Sequence, residues 1–156
     1  MNEQVKDYMK LFERLFENNS TRYCDCAAPE TLPGVKKQSF VLPFSGGEIW
    51  FEHLDGMYQY SELVLNKLKN DSRIFLAPSK PSQIGFVLDE TLITQTIVDE
   101  IVRLLCDEQK IYMRVCFIGT DWKIQKMFRG ALHNRSRFAF SFINDLEQAK
   151  EWLVSE

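Results

Sequence analysis

Two acidic residues, Asp89 and Asp121, each stand where an apolar run gives way to a helix-like period. A pair of carboxylates so placed can serve acid–base chemistry or hold Mg²⁺. Hydroxyls at Thr91, Thr94, Thr96 and Thr120 stand close by, with Gly119 at the second junction. Hydroxyls and the first amides of a helix together favour an anion. Asp89, Glu90 and Asp121 oppose that with negative charge, so a phosphate there needs an accompanying cation. The same Thr and Asp residues serve equally well as helix caps and loop solvators. Nothing supplies a nucleophile with its base, and no G-x-S-x-G, Walker loop or G-x-G-x-x-G occurs. The expectation is a protein without catalytic residues and without a cofactor.

A metal is not expected either. Cys24 and Cys26 form a lone C-x-C, and His53 and His133 fall in different elements, whereas a zinc site needs four ligands at matched spacing. Cys106 and Cys116 sit on a helical face and in a strand, where they read as small buried hydrophobes. The one basic patch is Lys123, Lys126, Arg129, Arg135 and Arg137, with no acid between 122 and 137. It reads as a solvated helix face and loop, or as a contact for an acidic partner or a lipid headgroup. Phe138, Phe140 and Phe142 alternate, so they share one strand face. That face is expected to pack under helices rather than to stack RNA bases.

The elements that must position these residues are clear in outline. The apolar run 83–90 leads into an amphipathic stretch over 93–105, 111–119 leads into 121–132, and 137–143 leads into 145–153. Apolar runs alternating with helical periods specify strand–helix units around a parallel sheet. In such sheets ligands bind beyond the carboxyl ends of the strands, here Leu88–Thr91 and Ile118–Asp121. Upstream, 37–44 and 47–54 flank Ser45-Gly46-Gly47 and read as a hairpin. Pro43 makes its first strand an edge strand. In the second strand Ile49 and Phe51 alternate with Glu48, Trp50 and Glu52. A helix is expected over about 57–70, striped by Met57, Tyr60, Val64 and Leu68. Another is expected over 3–17, followed by an irregular segment, 20–36. Thr120-Asp121 can cap one helix, and Asn144, with Glu147 at N3, can cap the last. The fold class is α/β: a mixed four- to five-stranded sheet, made of an N-terminal hairpin and three parallel β–α units, flanked by helices.

The chain has 156 residues, 45% of them hydrophobic, and a net charge of −3. That suits one domain over 1–156 with a true core and argues against a nucleic-acid partner. The opening sixteen residues are charged throughout and read as no signal peptide. The apolar runs are too short to span a bilayer. A cytoplasmic protein, not a transmembrane one, is the expectation.

Three stretches carry a resemblance: FVLDETLIT (86–94) before a helix, RVCFIGTDWKIQKMF (114–128), and the closing FSFINDLEQAKEWL (140–153). With the element order, they resemble the STAS superfamily, whose members include bacterial anti-sigma-factor antagonists. The chain is most similar to the STAS-like branch described together with CRAL-TRIO lipid-binding folds. The match covers 84–154, and 37–70 by element order alone. It implies a parallel-rich sheet with packed helices. In anti-sigma-factor antagonists a serine or threonine is phosphorylated where the helix after the central strand begins. The matching region here is Asp89–Thr96, with Thr91, Thr94 and Thr96 as its hydroxyls, but there is no Asp-Ser-x-Gly and the loop is shorter.

The functional expectation is a non-catalytic regulatory or protein-interaction module whose partner is another protein. The alternative is a carrier of a small apolar or lipid-like ligand. Its pocket would lie between the N-terminal helix and the sheet, beside Phe40, Phe44, Trp50, Phe51, Tyr58 and Tyr60. A metal-assisted enzyme using Asp89 and Asp121 is a third reading.

Overall fold

A computed structural model describes residues 38–155. The expected helix at 3–17, the segment 20–36 and the Cys24-x-Cys26 pair lie outside the described residues, as does the wall of the carrier pocket they were to form. The described elements are β1 (Phe40–Phe44), β2 (Gly47–His53), α1 (Ser61–Phe75), β3 (Gln83–Val87), α2 (Gln95–Cys106), β4 (Arg114–Ile118), α3 (Trp122–Leu132), β5 (Ala139–Phe142) and α4 (Leu146–Val154). They form one sheet in the order β1-β2-β3-β4-β5. β1 is antiparallel to β2, and β2 through β5 are parallel. This is the mixed sheet expected from the alternation, with Pro43 on an edge strand.

Sequential strand order and right-handed crossovers put successive helices on one face. The core on that face gathers Trp50 and Leu54 of the β2 strand and turn, Leu63, Val64 and Leu68 of α1, Ile97, Val98, Ile101 and Val102 of α2, and Phe128 and Leu132 of α3. Only α4, which follows the last strand, turns to the other face. There Ala149 and Leu153 pack on Ile49, Phe51, Val87, Cys116 and Ile118. The central strands are thus covered on both sides, which is why 84–88 and 115–118 are continuously apolar rather than alternating. The ring of Phe51 presses on Gly85, where an added Cβ would lie 2.8 Å from it. A row of phenylalanines fills the helix-side core: Phe117 stacks at 5.7 Å on Phe86, 4.1 Å on Phe128 and 5.4 Å on Phe142.

Trp50 and Glu52 alternate with Ile49 and Phe51 along β2, and both are buried, because α1 covers that side. Two expectations need correction. The helix expected over 57–70 begins at Ser61 and runs to Phe75. Residues 54–60 cannot be helical, since Gly56 and Tyr58 have φ of +69° and +47°. The last helix is capped by Asp145, whose side chain accepts from Gln148 N–H, and not by Asn144. Asp121 caps α3 as expected. Among the described residues no helix is long and apolar enough to cross a membrane.

Truncating Phe117, fully buried among three rings, to alanine is expected to cost about 3–5 kcal/mol in chemical denaturation. Ile74→Ser, on a residue 45% exposed, should change stability by only about 0.5 kcal/mol.

Candidate functional site

The four parallel strands end on one rim, where hydrogen bonds join the first turn to the second and the third to the fourth, and Asp89 packs on Gly119 between them. Gly56 N–H donates to the Asp89 carbonyl at 2.8 Å, Tyr58 N–H to Glu90 at 2.9 Å, and Leu92 N–H back to Tyr58 at 2.7 Å. The buried Thr91 hydroxyl donates to the Leu54 carbonyl at 2.6 Å and accepts from Met57 N–H at 3.1 Å. Asp89 folds its carboxyl group over Gly119. A Cβ added there would come within 2.4 Å of the Asp89 Cγ, and φ at Gly119 is +83°. Asn144 closes the series. Its Oδ1 accepts from Gly119 N–H at 3.1 Å and Thr120 N–H at 3.0 Å, while its Nδ2 donates to the Thr120 carbonyl at 3.1 Å.

The chemistry of the rim is therefore largely engaged. Thr94 caps α2, accepting from Ile97 N–H at 3.3 Å, and Asp121 caps α3, accepting from Ile124 N–H at 2.9 Å. Thr120 is buried, with Gln125 Nε2 donating to its hydroxyl at 3.3 Å. The paired amides at Gly119 and Thr120, which would cradle an anion, already hold the Asn144 oxygen. Of the three hydroxyls in the region matched to the phosphorylation site, only that of Thr96 belongs to an exposed residue. It faces a groove of about 490 Å³ shared by α1 and α2 with Leu65, Lys69 and Arg103. Asp89, Thr91, Thr94, Gly119, Thr120 and Asp121 come together on the rim, and Thr96 stands aside.

The rim turns outward four large apolar residues, set among acids. Tyr58, Leu92, Trp122 and Leu146 are 50%, 58%, 69% and 41% exposed, one in or just after each of the four turns. Tyr58 and Glu90 both take positive φ and touch through the Tyr58 hydroxyl and Glu90 Oε2 at 3.4 Å. Asp89, Glu90, Asp121 and Asp145 are exposed between these apolar groups.

The basic residues divide. Lys123 and Lys126 line an open groove of about 680 Å³ between α2 and α3, beside Trp122 and Met127. The Arg129 guanidinium lies over the Phe142 ring at 4.7 Å. Arg135 binds Asp107 at 2.7 Å and 2.8 Å, and Arg137 is exposed.

A second polar cluster was not read from the sequence. Glu52 on β2 is 0% exposed. Its Oε2 accepts from Trp50 Nε1 at 2.9 Å, and its Oε1 lies 3.6 Å from Lys67 Nζ. Lys67 donates to Asp71 at 2.6 Å and to the Ser39 hydroxyl at 2.8 Å. That hydroxyl also accepts His53 N–H at 2.9 Å and donates to Asp71 at 3.1 Å. A serine beside a lysine suggests a nucleophile and its base. Here the lysine is ion-paired and donating, so it has no lone pair with which to take a proton. Two carboxyls share one cation. Burial, then the hydrogen bond with Asp71, holds the Glu52 carboxyl well above the usual range, against the opposing pull of Lys67. At Asp71 burial pushes upward but is outweighed by hydrogen bonds from Glu52, Lys67 and Ser39 and by the Lys67 charge, so its carboxyl sits low. Glu52 is then the neutral acid and Asp71 the carboxylate. The signal available in the sequence was Lys67 and Asp71, four apart on one helix face.

No group of three or more His, Cys, Asp or Glu able to hold a metal occurs among the described residues. His53 instead meets Asp55 at 3.1 Å and stacks on Phe40. Burial pushes the Cys116 thiol up to about 12. The chain matches no family model, no curated protein and no solved structure.

Asn144→Ala is expected to cost about 1–2 kcal/mol and to speed hydrogen exchange at the Gly119 and Thr120 amides. Unchanged exchange there would contradict the role given to Asn144. Glu52→Gln mimics the neutral acid. In the wild type, a raised Glu52 value means stability complete below the unfolded value, about 4.3, and lost as pH climbs toward the folded one. The unfolding free energy of Glu52→Gln relative to wild type should therefore rise with pH above about 4.3. The low Asp71 value acts oppositely, giving stability above about 3.9 that acid removes in both proteins. A flat difference across pH 4–8 in urea titrations would refute the assignment of the proton.

Proposed function

We propose that this protein is a non-catalytic, STAS-like interaction module of the cytoplasm that docks another protein through the rim at the carboxyl ends of β2–β5. One observation carries this reading: four successive turns on one rim each leave one large apolar residue exposed, Tyr58, Leu92, Trp122 and Leu146. Aromatic and large aliphatic groups grouped in this way mark interaction sites. A turn surface already bonded to itself loses little freedom on binding, so more of the contact energy appears as affinity. The acids between the anchors favour a partner that brings basic groups to its own apolar patch.

The non-catalytic part of the reading is supported by where the polar groups go. Thr91, Thr94, Thr120, Asp121 and Asn144 each hold a turn or a helix end, which leaves them little freedom to act on a substrate. The STAS-like part is supported by the sheet order and by the location of the rim. In the family the sequence resembles, regulation occurs where the helix after the central strand begins.

Replacing Trp122 by alanine is expected to weaken partner binding by about 30-fold, as loss of a central aromatic anchor does. Its unfolding free energy should stay within about 0.5 kcal/mol of wild type, since the side chain is mostly in water. The assay is affinity capture from the native cell with wild type and a Leu92→Glu/Trp122→Ala variant side by side. A partner retained equally by both would rule out docking through the rim.

A further inference from the structure

The two edges of the sheet differ. β1 carries Pro43 within its ladder and so lacks one donor, a common safeguard against edge pairing. β5, Ala139–Phe142, has neither proline nor lysine. Its register on β4 fixes which backbone groups face outward. Ala139 N–H bonds the Met113 carbonyl at 3.2 Å and Ile143 N–H the Phe117 carbonyl at 3.1 Å. Odd-numbered residues therefore turn inward to β4. The N–H and C=O groups of Phe140 and Phe142 turn outward, with no pairing strand among the described residues. Their side chains are half-buried on the helix face, packed against the core with Phe138.

We propose that this edge pairs with the β5 edge of a second copy of the chain, antiparallel and about a two-fold axis at Ser141. The alternation allows this register, because outward residues must oppose outward residues. Phe140 then faces Phe142 of the second copy, and each such pair exchanges two backbone hydrogen bonds. Ser141 faces Ser141 as a pair not bonded through the backbone. The register also matches charge. Arg137, exposed just before β5, stands opposite Asp145 of the second copy, just after it. Asp145 uses Oδ1 to cap α4, and its Oδ2 makes no bond among the described residues. A shift by two residues one way sets Arg137 opposite Ile143, and the other way opposite Glu147, which already pairs with Lys150 in α4. The surface is self-complementary, as a two-fold contact requires, and meets the rim only at Asp145.

Light scattering on the full chain during gel filtration tests association: the mass should climb from 18.3 kDa toward twice that value as concentration rises from micromolar to millimolar. Arg137→Glu should weaken the dimer by about tenfold, since it sets like charges opposite each other twice. Register is tested separately. In a Cys24→Ser/Cys26→Ser/Cys106→Ser background, Ser141→Cys should oxidise to a covalent dimer. Cα atoms of such a pair lie about 4.5 Å apart, within disulfide reach. Ala139→Cys, on the same strand face but far from its symmetry mate, should cross-link at least about tenfold more slowly. A protein monomeric throughout the range, or a Ser141→Cys variant no faster than Ala139→Cys, overturns the proposal.

Discussion

Parallel strands that lie side by side must all end at one edge of the sheet, and every turn beginning there exposes backbone that its own strand no longer bonds. Buried amides and carbonyls without partners are costly. Helices cover these turns on one side, so neighbouring turns have to satisfy one another. The result is the series from Gly56 and Tyr58 through Asp89 and Gly119 to Asn144. This constraint decides the character of the surface. Many polar groups that a crevice enzyme would aim at a ligand are turned sideways into the neighbouring turn, and Tyr58, Leu92, Trp122 and Leu146 stand exposed among the rim's acids.

The same accounting explains the only carboxyl oxygen among the described buried side-chain atoms that lacks a partner, Glu52 Oε1. With Glu52 and Asp71 both ionised, one lysine would face two buried negative charges, an unbalanced arrangement in a weakly screening interior. Retaining a proton on Glu52 brings the cluster to neutrality and turns Oε1 into a donor toward Asp71. The cluster also has a mechanical effect. Ser39 joins the start of the edge hairpin to Lys67 and Asp71 of α1. This adds a polar tie to the apolar packing that already holds β1, through Val41, to the helical layer.

The fold was legible because its signals are local. Apolar runs bounded by helical periods gave the three β–α units, and Pro43 marked an edge. The start of α1 was not legible, because Tyr58 takes a left-handed conformation without being glycine or asparagine. Residue type gave no sign of it, and the apolar stripe simply ran on through the turn. Asn144 was read as a cap, its commonest task at that position, whereas it spans 24 residues to reach Thr120. Glu52 looked like the polar half of an alternating strand. Its burial depends on α1 lying across β2, which is a tertiary fact. The rim residues could be named from strand ends alone. Whether their hydroxyls and amides were free or engaged depended on contacts between turns that no spacing records.

Rim and edge are perpendicular features of one sheet, and this geometry sets what they can do together. Strand ends define the rim, while the side of β5 defines the edge. Joining two copies across β5 in antiparallel fashion continues the sheet and touches each rim only at Asp145. It also sends the two rims to opposite ends of the assembly, because the strands of the two copies run in opposite directions. A dimer of this kind offers two separate docking surfaces that a single compact partner cannot bridge. Each rim then binds on its own, and association through β5 would raise the number of partners held without altering the affinity of either site.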